Sequence, residues 1–89
     1  MTISKKTDRG ISKAAALTYS GTGAPTVVAK GEGFIAKQII EVAERHEVPL
    51  ISDHQLVSML VNVPLGDEIP ENLYLAIAEV LAHVYRLNG

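Results

Sequence analysis

The sequence predicts an α/β domain, a small mixed β-sheet of three to four strands packed with three to four helices. Three observations predict it. Two strand-type runs flank a Ser-Gly-Thr-Gly turn. The apolar period then lengthens from strand-like to helical over residues 32–47. A short apolar run, Leu50-Ile51, follows Pro49. Strand, helix, strand in that order is the pattern of a parallel βαβ unit.

Taken in order, the first residues are basic and poor in apolar anchors. Residues 1–13 hold four cations (Lys5, Lys6, Arg9, Lys13) against one acid, and the rest of the chain holds four cations against nine acids. Residues 1–12 are therefore expected to form a flexible basic tail, with the ordered domain over 13–89. The run Ala14–Tyr19 is too short for a stable helix and ends at Ser20-Gly21-Thr22-Gly23, so it is expected as a strand. Pro25–Lys30, rich in β-branched residues and closed by Gly31, is its hairpin partner.

Between Glu32 and Glu47, Ile35, Ile39, Val42, Ala43 and His46 share one helical face, expected to be the buried one. Lys37, Glu41, Glu44 and Arg45 fall on the other. Ser52 with Gln55 reads as a capping box for a helix over 53–61, its inward stripe Leu56, Met59, Leu60 and Val63. Pro64 and Gly66 break it, and Pro70 stands where a last helix begins. Leu73, Ile77, Leu81 and Val84 form that helix's stripe, broadened by Tyr74, Val80 and Tyr85, and Asn88-Gly89 is a helix-stop pair.

A chain of 89 residues makes one domain, and folding at this size buries roughly three-fifths of its surface. With 47% apolar and 20% charged residues it reads as globular rather than disordered. A net charge of −2 gives no general attraction to nucleic acid. The absence of cysteine removes disulfides, a thiolate nucleophile and cysteine-ligated zinc. No apolar run is long enough to span a bilayer and Met-Thr-Ile-Ser-Lys-Lys lacks a signal-peptide core, so a cytoplasmic protein is expected.

Three places invite a chemical role. Gly31-Glu32-Gly33 lies between a strand and a helix, where backbone N–H groups can hold an anion. It lacks the third glycine of a dinucleotide fingerprint and the Gly-Lys-Ser/Thr of a P-loop, and Glu32 would repel phosphate. Ser52-Asp53-His54 has the letters of a hydrolase triad, but triad members converge from distant positions rather than standing side by side. Glu79 and His83 stand four apart on a helix, with neither His46 nor His54 in register to complete a metal site. No catalytic constellation, metal site or cofactor site is expected.

Four stretches carry a resemblance. Ala24–Gly31 (Ala-Pro-Thr-Val-Val-Ala-Lys-Gly), Val48–Ile51 (Val-Pro-Leu-Ile), Leu65–Pro70 (Leu-Gly-Asp-Glu-Ile-Pro) and Ala76–Tyr85 (Ala-Ile-Ala-Glu-Val-Leu-Ala-His-Val-Tyr) occur in order. Together, from Lys13 to Leu87, the chain resembles the cytoplasmic domain of the FlhB family of flagellar type III export proteins, with its injectisome relatives YscU and SpaS. The resemblance implies a non-enzymatic binding module of the export apparatus, working like a detached FlhB C-terminal fragment in the switch of export specificity. It implies as partners a membrane-bound FlhB portion, the export gate and export substrates, met at the inner face of the membrane. A second reading keeps the fold but places the chain outside secretion, as a small regulatory protein binding nucleic acid through its basic tail.

The departures from the family pattern carry further expectations. Family members have an Asn-Pro-Thr-His motif, whose asparagine attacks its own carbonyl and breaks the bond to proline. Here Arg9, Gly10, Ile11 and Ser12 stand in those places, and no Asn-Pro bond occurs in the chain, so self-cleavage is not expected. The family's membrane helices are also missing, which implies a free-standing copy of the cytoplasmic fragment. The exposed edge of the first strand (Ala14, Ala16, Thr18) is then the expected docking edge for a strand supplied by a membrane-bound FlhB. Ile3–Lys6 is the alternative source of that strand within the chain. Leu56-Val57-Ser58 replaces the family's Leu-Ala-Arg, and Val57 and Val61 make a second apolar stripe, either buried or a docking patch.

Overall fold

The computed structural model describes residues 1–5, 12–19 and 21–85, the side chain of Tyr85 aside. Its strands are β1 (Thr2–Lys5), β2 (Lys13–Thr18), β3 (Thr26–Glu32) and β4 (Leu50–Ser52). Its helices are α1 (Phe34–Arg45), α2 (His54–Leu60) and α3 (Tyr74–Tyr85), the last entered through a 3-10 turn at Glu71–Leu73. The strands form one mixed sheet in the order β3-β2-β1-β4.

The hairpin expected from the Ser-Gly-Thr-Gly turn is present as the antiparallel β2–β3 pair. The βαβ unit is present too, but split. Both β2–β3 and β1–β2 are antiparallel, and β1–β4 is parallel, so β3 and β4 run the same way with β2 and β1 between them.

The strand that fills this gap corrects the expected tail. Thr2–Lys5 is an interior strand, with Ile3 opposite Ala15 on one side and Ile51 on the other. Thr2, Ile3 and Ser4 are buried. A four-residue strand with one large apolar side chain gives almost no periodic signal. Its order comes from two ladders of backbone hydrogen bonds, which composition does not report. Residues 6–11 of the expected tail lie outside the described residues.

Side chains alternate across the sheet, so neighbouring residues serve opposite layers. Ile3, Ala15, Leu17 and Val27 face the main core with Leu56, Val57 and Leu60 of α2 and Ile77 of α3. Ala14 packs on the other face against Ala36 and Ile40 of α1. The alanines of β2 let layers approach closely on both sides. They also turn α1 from its expected orientation: Ala43 is buried as expected, but Ala36 and Ile40 join it, whereas Ile35 and Val42 are about half exposed. Two alanines flank Ile40 on the sheet-facing side, where they fit closely over an alanine strand.

Two local features differ from the sequence reading in the same manner. The α2 N-cap is Asp53, whose carboxylate accepts from the Leu56 N–H at 3.0 Å, one residue later than the box centred on Ser52. Met59, placed on the inward stripe of α2, is exposed, and Val57 takes its place. At the far end of β3, Ala16 pairs Ala29 while Leu17 pairs Val27, leaving Val28 as the extra residue of a β-bulge. The Lys30 ammonium crosses from β3 to the end of α2, where it donates to the carbonyl oxygens of Val61 and Val63.

Candidate functional site

The catalytic candidates do not assemble. Asp53 is occupied as a helix cap, while Ser52 and His54 are exposed. Glu79 and His83 are exposed on α3, and no group of three metal-ligating side chains forms among the described residues. In the Gly31-Glu32-Gly33 turn the Gly33 N–H donates to the Ser12 carbonyl at 2.8 Å, and the Glu32 carboxylate faces the Lys13 ammonium at 3.8 Å. The segment joins β3 to α1 and is tied back to β2 by these two contacts.

The expected docking edge is corrected. β2 has β3 on one side and β1 on the other, so Ala14 and Ala16 lie on no free edge, while Thr18, beyond the last β1 partner, pairs only with Thr26 of β3. The chain's own first residues occupy the place assigned to a strand from a membrane-bound FlhB. Val57 is fully buried in the core and Val61 is partly buried against it, which makes the second stripe of α2 a packing surface rather than a docking patch. Ser58 has its hydroxyl buried without a partner among the described residues. Of the cleavage-motif positions, Arg9, Gly10 and Ile11 lie outside the described residues, and Ser12 is buried.

The surface instead offers apolar grooves. One, of about 260 Å³, is lined by Tyr19, Gly23, Ala24 and Pro25, by Ile69, and by Tyr74, Ile77, Ala78 and Leu81 of α3. Each wall has a local cause. Gly23 has a φ of 73°, a left-handed conformation in which glycine is free of strain, and it turns the chain into Ala24-Pro25. Ile69 donates its N–H to the Pro25 carbonyl at 2.9 Å, which fixes the floor. Along α3, positions 74, 77, 78 and 81 follow the three-and-four spacing of one helical face. Ile69 and Ile77 are buried beneath, while Tyr19 and Tyr74 stand about half exposed at the rims.

No ionised side chain lines this groove. Its volume is below the ~300–1,000 Å³ of pockets for drug-sized ligands, so it suits apolar side chains of a peptide better than a cofactor. Burying one large apolar side chain there would contribute roughly 1.5–3 kcal/mol. Sequence reasoning missed the site because its residues lie about 50 positions apart, a separation that no local pattern reports. The available signal was the resemblance itself: Ala24-Pro25, Ile69 and Ala76–Tyr85 belong to three of the four stretches that carry it.

A second groove, of about 410 Å³, lies between α1 and the sheet, and Ile35, Ile39 and Val42 of α1 line it. These are the residues expected to face the core. A third cleft, sharing Tyr19, Pro25 and Leu81 with the first groove and Met1 and Leu17 with the second, connects the two.

Comparison with known proteins gives a consistent result. A sequence profile of the FlhB HrpN YscU SpaS family matches residues 12–84. The chain is 39% identical over 80 residues to YlqH of Bacillus subtilis, covering 88% of this chain and 86% of that protein. It is 44% identical over 77 residues to the flagellar biosynthetic protein FlhB of Yersinia enterocolitica, covering 83% of this chain but only 20% of that protein. In three dimensions it is similar to the cytoplasmic domain of FlhB from Shewanella putrefaciens, with a TM-score of 0.84 and 30% identity over 98% of this chain and 69% of that one. A mutated EscU C-terminal domain matches with a TM-score of 0.74 and 31% identity over 84% of this chain and 93% of that one.

Proposed function

The chain belongs to the FlhB HrpN YscU SpaS family, and from that premise we propose that it is a non-enzymatic binding module of the flagellar type III export apparatus. In this reading it works at the cytoplasmic face of the apparatus, taking part in substrate-specificity switching by holding apolar segments of export substrates in the Pro25–Leu81 groove. One observation carries the reading: stretches far apart in sequence that carry the family resemblance converge on one apolar groove. No helix of the described residues is long and apolar enough to cross a membrane. A nucleic-acid role gains no support from Lys5 and Lys13, which stand opposite each other within the sheet.

The test has two arms. Labelled peptides tiling the N-terminal regions of the host's rod and hook proteins are titrated onto the purified chain, then onto Ala78→Asp. Ala78 is exposed, so the substitution leaves folding intact while placing a charge in the groove. At least one peptide is expected to bind, and Ala78→Asp to weaken it tenfold or more. In cells whose FlhB is truncated after the cleavage asparagine, expression of the chain is expected to restore some secretion of hook or filament proteins. A folded chain that binds no peptide, restores no secretion and co-purifies with no export component overturns the proposal.

A further inference from the structure

We propose that Lys30 is a positioning residue for the docking groove, holding its floor from outside, an inference that rests on the docking reading above. Lys30 is absent from the groove lining and stands opposite Ala15 in β3. Its ammonium donates to the Val61 carbonyl at 2.9 Å and to the Val63 carbonyl at 2.6 Å. Carbonyls at a helix end have no donor within the helix, and hydrogen bonds from an ionised donor are the strong kind.

From Val63 the chain folds back onto the start of the strand that carries Lys30. Gly66 donates its N–H to the Val27 carbonyl at 2.8 Å, Val27 donates to Asp67 at 2.9 Å, and Ile69 donates to Pro25 at 2.9 Å. A closed ring of contacts results. β3 reaches the end of α2 through Lys30, the chain runs on through residues 64–69, and that segment returns to β3 and Pro25. Ile69 and Pro25 are two floor residues of the groove. The segment bearing Ile69 is therefore held at both ends, by the ammonium at Val63 and by the backbone ladder at Val27. Without the ammonium, the Val63 end keeps only the bond from its own N–H to the Leu60 carbonyl and its buried side chain, and the floor is less firmly fixed.

Lys30→Met keeps most of the aliphatic stem and removes the donors, and Lys30→Arg keeps the charge in another shape. Amide exchange and peptide affinity are measured on both variants. With Lys30→Met, exchange at Val27, Gly66 and Ile69 is expected to quicken at least tenfold. Gly33 and Asp53, whose amides bond to Ser12 and Ser4 away from the groove, should change only by the shift in global stability. Affinity for the best rod or hook peptide should fall about tenfold, with Lys30→Arg intermediate in both readouts. All five amides quickening by the same factor, none quickening, or floor exchange quickening with unchanged affinity would each overturn the inference. If no peptide binds the wild-type chain, the docking reading fails by itself, and the exchange pattern still decides whether Lys30 holds the floor.

Discussion

Ile35 stands so close over Gly31 that position 31 has no room for a side chain. A Cβ built there would lie 2.8 Å from the Cβ of Ile35 and nearer still to its Cγ2. This contact fixes how the first turn of α1 leaves the end of β3. The glycine of the Val-Val-Ala-Lys-Gly stretch is thus a packing requirement.

Gly31→Ala is expected to destabilise the fold by about 1–3 kcal/mol through overpacking, read as a lower urea midpoint with an unchanged slope. Combining it with Ile35→Ala should recover part of the loss, because the Cγ2 clash disappears while the Cβ contact remains. Equal losses in the single and double variants would contradict this account.

Glu47 offers a change in the opposite direction. α1 ends with the Glu47 N–H donating to the Glu44 carbonyl and the Val48 N–H to the Ala43 carbonyl, the paired bonds of a Schellman stop. In that motif the residue after the cap is left-handed, and Glu47 has a φ of 57°. Glutamate bears a steric cost there that glycine avoids. Glu47→Gly is expected to raise stability by about 0.5–1 kcal/mol and the thermal midpoint by a few degrees. A lower midpoint would refute it.

Removing residues 1–5 tests the interior position of β1. The deletion strips Ile3 from the core and leaves β2 and β4 without their shared neighbour. Loss of cooperative unfolding is the expected result. Ile3→Ala, the milder probe, should cost about 2–5 kcal/mol. A truncated chain that melts like the full one would show that the strand contributes little.

The purified chain is expected to stay in one piece. With Arg9-Gly10-Ile11-Ser12 in the motif positions, no carboxamide is placed to attack the backbone. Intact mass after several days at neutral pH should equal the encoded mass, apart from loss of Met1. A break between residues 9 and 10 would refute the expectation.

The fold class was legible where period and punctuation agreed, as in the β2–β3 hairpin and the three helices. What stayed hidden depended on partners. β1 owes its order to ladders with β2 and β4, and a run of Thr-Ile-Ser-Lys announces neither. In α1 the apolar pattern pointed to Ile35, Ile39, Val42 and Ala43; Ala43 is buried, but Ala36 and Ile40 are buried in place of Ile35 and Val42 because the strand below is alanine. Hydrophobicity alone ranks isoleucine and valine over alanine, and only the shape of the opposing surface seats Ala36 beside Ile40 while Ile35 and Val42 stay half exposed. The candidate groove was illegible for a related reason: its two walls meet only after the chain has folded.

The position of β1 also sets an order of assembly during synthesis. β1 is made well before β4, whose pairing with Thr2, Ile3 and Ser4 requires residues 50–52. Until residues 50–52 have emerged, β1 can close only its contact with β2, and its other edge stays unpaired. Such non-local pairing slows folding and lengthens the life of exposed strand edges. A nascent chain that has emerged past residue 18 but not yet to residue 50 would therefore present that open edge to any neighbouring strand.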